Sequence, residues 1–209
     1  MRRSRGFTLV ELLMVVTLLA LVVAVAVPCL LRSQLAARQS HACSVMKALV
    51  TQESLWRLQD PDRNGVSDYW VRDVRGMYGV PDATGKPVAL VDVAVARADR
   101  RPAFDYGTPL DVTVPDQGYF VQAMVSDQDG MPYVDESLPP PRFAPAAASC
   151  ANSGRFGFTA FPASYERRGL SVYAVTEDGV IWEKDDGTGM RVLERMHVGP
   201  DAGWRISGG

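Results

Sequence analysis

The chain has 209 residues, 47% of them apolar and 22% charged, enough for one core plus an appendage. Its 22 basic residues face 24 acidic ones and form no long run, which excludes a generic electrostatic grip on nucleic acid. Three cysteines without a Cys-x-x-Cys pair, two histidines and no Gly-x-Ser-x-Gly, His-Glu-x-x-His or Walker-type string leave no common metal, redox or catalytic motif, so no enzyme is expected.

The charge is unevenly placed. Arg2, Arg3 and Arg5 precede residues 7–31, an apolar run whose one charge is Glu11. At about 1.5 Å per residue a helix there reaches roughly 37 Å, enough to cross a hydrocarbon core of about 30 Å. The arginines before it, with Arg32 alone after it, predict a cytoplasmic amino terminus and an exported remainder. A charged side chain costs about 2.5–3.5 kcal/mol at the centre of such a helix and less toward its end, so Glu11 is a candidate functional residue that needs a partner.

The string Gly6-Phe7-Thr8-Leu9-Val10-Glu11-Leu12 behind a basic leader resembles the amino terminus of the type IV prepilin class, which includes the pseudopilins of type II secretion. The resemblance covers about the first thirty residues. It implies cleavage by a prepilin peptidase between Gly6 and Phe7, methylation of the new Phe7 amine, and Glu11 as fifth residue of the mature chain. In that class the carboxylate neutralises the terminal amine of a neighbouring subunit, and pairing two charges in an apolar bundle would set the axial register. Loss of the leader leaves 19 basic residues against 24 acidic ones, a formal charge of −5. Other pilin or pseudopilin subunits and an inner-membrane assembly platform are the further partners implied. The location implied is the inner membrane, single-pass, and then a periplasmic or extracellular filament. The same resemblance implies a pilin-like α+β fold: a long amino-terminal helix, membrane half plus amphipathic half, packed on a carboxy-terminal antiparallel sheet. Pro28 sits where these helices often carry a proline, which removes a backbone donor and bends or locally melts the helix. A competing reading takes Ala24-Val25-Ala26 as a signal-peptidase site that releases a chain starting at Val27. A second alternative is a membrane-anchored or secreted calcium-binding domain that does not polymerise.

Residues 32–59 keep helical composition and turn amphipathic, with Leu35, Ala42, Leu49 and Trp56 each a heptad apart. Arg38, Gln39, Lys47, Gln52 and Glu53 are assigned to the other faces, and His41 is read as a surface or packing residue. Asp60-Pro61 ends the helix. Asp60, Asp62, Asn64, Gly65 and Asp68 then match positions 1, 3, 5, 6 and 9 of the EF-hand loop, with Val66 offering its carbonyl. Position 12 is Val71 rather than Glu, and Asp73 lies two residues too far. Calcium and a solvated turn are both open readings.

Residues 60–116 form a variable region in which 88–96 has no deciding period, helix or strand. In residues 117–209, strands are expected at 119–125, 156–161, 170–175 and 180–182, the last two joined through Glu177-Asp178-Gly179. Asp127-Gln128-Asp129-Gly130 and Asp185-Asp186-Gly187 read as hairpin turns. Tyr119, Phe156, Phe158, Tyr173 and Trp182 supply a sheet face to cover the Leu35/Leu49/Trp56 face of the helix. In an exported compartment a Cys43–Cys150 bridge is a candidate, with Cys29 left in the apolar helix.

Overall fold

The computed structural model describes residues 8–142, 148–189 and 200–207. Two compact units share the chain, Met1–Ala37 and Arg38–Gly209. A single helix, α1 (Leu9–Gln59), runs through both. Hydrogen-bonded helix continues across Pro28, so of the bend or local melting expected there, the melting does not occur. A proline costs one amide donor and the surrounding turns carry the segment through it.

In the first unit α1 presents apolar side chains on every side, and its large apolar residues from Leu9 to Leu31 are between 47% and 80% exposed. The window is long and apolar enough to cross a membrane. In the second unit α1 is one-sided, burying Ala42, Val45, Met46, Leu49, Glu53 and Trp56. Glu53 therefore lies on the packed face, not among the solvated positions where its charge alone would put it. Its spacing from Leu49 and Trp56, four and three residues, is the periodicity of that face. The helix stops where expected: Asp60 takes a left-handed φ of 46° and its N–H donates to the Trp56 carbonyl at 3.0 Å. Pro61 blocks any further turn.

The buried face of α1 joins one core with an antiparallel sheet of five strands in the order β2-β4-β5-β6-β7. These are β2 (Tyr119–Ala123), β4 (Gly157–Pro162), β5 (Val172–Thr176), β6 (Ile181–Lys184) and β7 (Arg205–Ile206). Phe158 is fully buried, as is Ala160, and Tyr119, Phe156 and Tyr173 are buried beside them, whereas Trp182 is half-buried at the margin. Gly179 turns β5 into β6 with φ 70°, and Asp178 Oδ1 accepts the Val180 N–H. The 127–130 turn does not join neighbouring strands of this sheet, because β2 ends at Ala123 and pairs with β4. It closes a small bridge between Ser126 and Pro132 instead. Asp185 and Asp186 cap the backbone of Gly187, Thr188 and Gly189 after β6.

A second, two-stranded ladder pairs β1 (Tyr69–Trp70) with β3 (Ala151–Asn152) beside the end of α1. Two short helices follow β1: α2 (Gly76–Gly79) and α3 (Val93–Arg97). Asp92 decides the ambiguous 88–96 segment, since its side chain accepts the Ala94 N–H and starts a helix there. Two buried carboxylates organise this region. Asp73 accepts from Trp70 Nε1, the Gly76 and Ala103 amides and the Tyr106 hydroxyl. Asp99 accepts from the amides of Val74, Arg75 and Arg101. Arg75 in turn donates to the Ala96 and Leu110 carbonyls and Thr113 Oγ1. Buried polar groups satisfied inside the fold thus tie this segment together, alongside core residues such as Trp70, Val74 and Met77.

Candidate functional site

Gly6, Phe7 and the leader arginines lie outside the described residues. Thr8 and Glu11 begin α1 as a reciprocal cap. The Glu11 N–H donates to Thr8 Oγ1 at 3.2 Å, while the Thr8 N–H and hydroxyl donate to Glu11 Oε2 at 3.0 and 2.8 Å. This is a capping box, which satisfies amides that the first helical turn leaves without partners. Glu11 therefore has a job within its own chain besides any it has between chains. The Thr-x-x-Glu spacing in the sequence carried that signal. The carboxylate also lies at the amino-terminal end of the helix dipole, where negative charge is favoured.

The acidic loop after α1 has a different character. Asp60 Oδ2 accepts the Gly65 N–H at 3.1 Å, and Gly65 takes φ 81°, a conformation that disfavours any side chain. Asn64 Oδ1 accepts the Val66 N–H at 2.8 Å and its amide donates to Asp68 Oδ2 at 2.7 Å. Asp62 is turned inward and is 0% exposed, and the Arg142 N–H donates to its backbone carbonyl. Neither oxygen of its side chain has a hydrogen-bond partner among the described residues, nor has Asp60 Oδ1. Burial, with Asp60 and Asp68 close by, pushes Asp62 up to about 7. Burial likewise raises Asp68 to about 6, against the Asn64 hydrogen bond that lowers it. Val71, at the twelfth position, is buried in the core, and Asp73 is committed to its own donors. Among the described residues no three His, Cys, Asp or Glu side chains converge as a ready metal-holding group.

Behind the loop, Glu53 Oε2 accepts the Trp70 N–H at 3.0 Å and fixes β1 to α1. Burial raises Glu53 well above the ordinary carboxylate range, opposed by that hydrogen bond. His41 Nε2 is 2.7 Å from Asp116 Oδ2, joining α1 to the turn before β2. It is thus a packing contact. His197 lies outside the described residues.

The Cys43–Cys150 bridge is not formed; all three cysteines are free. Cys43 Sγ lies 3.5 Å from Ser207 Oγ beside β7, whereas Cys150 is buried with its Sγ directed at the Ala148 carbonyl. The two thiols serve different neighbourhoods. Burial pushes the Cys150 thiol up to about 12, which makes it a poor thiolate and an inert packing residue.

The class of protein follows from the two ends of this description. The chain carries a prepilin-type N-terminal methylation motif ahead of a pilin-like α+β fold: residues 1–27 match the family described as "Prokaryotic N-terminal methylation motif". A particular relative is the type IV major pilin protein PilA of Myxococcus xanthus, 33% identical over 104 residues, 44% of this chain and 47% of that protein. The chain spans about half the length of the curated relative it matches. No solved structure matches. Both likenesses are to structural, non-enzymatic proteins.

Proposed function

We propose that this chain is the precursor of a structural subunit of a type IV pilus-type filament. It is inserted in the inner membrane, cut by a prepilin peptidase between Gly6 and Phe7, methylated at the Phe7 amine, and polymerised through the apolar half of α1 with other pilin subunits on an assembly platform. The single observation that carries the reading is the exposure of that half on all sides. Helices apolar all round are stable only when lipid or neighbouring helices cover them. Lipid supplies the cover before assembly and sister helices supply it afterwards. The likeness to a type IV major pilin supports a pilus over a type II secretion pseudopilus.

Glu11 has one role in each state. In the membrane its carboxylate closes the first turn of α1 through Thr8. In the filament it compensates the methylated amine of a neighbour, and the need to bring the two charges together fixes the axial stagger. Glu11→Ala is expected to leave membrane insertion intact and to reduce incorporation into sheared filaments severely. Normal incorporation of that variant would contradict the register role. Replacing Gly6 with a bulky residue is expected to retain the leader, read as a mass difference on the isolated protein.

A further inference from the structure

Asp62 is a buried side chain in the second unit that the fold does not otherwise explain. It carries two carboxylate oxygens into the interior with no donor for either among the described residues. Buried polar groups are hydrogen-bonded as a rule, and a buried carboxylate without a partner costs several kcal/mol, of order the penalty for an unpaired charge. Asp73 and Asp99 show how this fold treats a structural carboxylate: each gathers three or more donors. Asp62 meets no donor in hydrogen-bond geometry among the described residues and lies beside Asp60, whose Oδ1 is likewise buried and unpartnered. A carboxylate with both oxygens unpartnered, beside one whose Oδ1 is unpartnered, describes a place prepared for positive charge.

We propose that residues 60–68 bind one calcium ion, with Asp62 as the innermost ligand and Asp60 beside it. The donors are all oxygens, which excludes the softer metals that prefer His and Cys. Calcium takes six to eight oxygens in adaptable geometry, whereas magnesium demands a near-ideal octahedron, so a loop of mixed side-chain and carbonyl donors favours calcium. The Gly65 amide holds Asp60 Oδ2, which leaves Oδ1 to face the ion. Asn64, the Val66 carbonyl and Asp68 complete the shell when the Asn64–Asp68 hydrogen bond gives way. Without a bidentate Glu at the twelfth position, affinity falls in the class of extracellular modules, about 10⁻⁴–10⁻³ M. The ion would clamp the exit of α1 to β1 and to the 142 segment, since Gln59, Tyr69 and the Arg142 amide all adjoin the loop.

The test uses the full chain in detergent, unassembled and stripped with a chelator, so it is independent of the filament reading. Calcium chloride and magnesium chloride are titrated separately by calorimetry and by thermal melting. The expected result is saturable binding of one calcium per chain with a rise in melting temperature, weaker binding of magnesium, and at least tenfold weaker calcium binding in both Asp62→Asn and Asp60→Asn. Asp60→Asn keeps an acceptor for the Gly65 amide and decides the matter alone if Asp62→Asn does not fold. Failure of the unaltered protein to saturate by about 10 mM calcium, well past that class of affinity, would overturn the proposal. So would calcium affinity unaltered in the folded variants.

Discussion

The two halves of α1 share one backbone and differ in everything around it. Residues 9–31 place apolar side chains on all faces and bury none of them, while residues 38–59 restrict burial to one stripe and close it against the sheet. Helical hydrogen bonding is common to both, so it explains neither. What separates them is where the apolar surface finds its cover: inside the same chain for the second half, outside it for the first. On the proposed function, stability of the folded unit and capacity to assemble belong to different stretches of one helix, and each can be perturbed without the other.

The largest expected effect comes from the covered half. Trp56 is fully buried with its ring 4.9 Å from that of Trp70, and Trp56→Ala is expected to cost about 3–5 kcal/mol of domain stability in denaturant unfolding. A loss below 1 kcal/mol would mean that this face is not core. Next is the response to pH. Burial holds Asp99 up at about 7, and Glu53 and Asp73 are raised in the same direction. Between about pH 4 and 7 the folded state then binds more protons than the unfolded one, so stability falls as pH rises through that window. Melting temperatures in calcium-free buffer are expected to be higher at pH 5 than at pH 7.5; the opposite order would contradict the buried state of these groups. A smaller change is expected from Asp92→Ala, which removes the cap of α3 and costs about 1 kcal/mol. The smallest effect on folding belongs to the uncovered half. Leu19→Ala, at a position 59% exposed, is expected to leave the melting of the folded unit unchanged while lowering recovery in sheared filaments.

The contrast between the halves was legible in the residues, because an apolar run with one charge and a heptad stripe are different patterns of period. The central strands were legible for a similar reason: Tyr119 to Ala123 and Val172 to Thr176 are β-rich and bounded by turn residues. The two-residue ladder of β1 with β3, and β7 at the sheet edge, were not, since two residues carry no period. Charge alone puts Glu53 outside, but its spacing from Leu49 and Trp56 puts it on the packed face, where the Trp70 amide meets its carboxylate. Separation along the chain says nothing about whether Cys43 and Cys150 meet, and the fold gives each thiol its own neighbours. For the acidic loop, the sequence supplied the donors and their order, but only the fold shows that Asp62 points inward while Asp73 is occupied elsewhere.

The most direct measurement is the chemical identity of the first residue in the protein recovered from sheared surface filaments. Mass spectrometry with amino-terminal sequencing distinguishes the three starts. Processing and assembly through residues 7–31 predict a chain that begins at N-methylated Phe7 and retains Glu11. A chain beginning at Val27, or an intact Met1 with no filament-associated material, would contradict it.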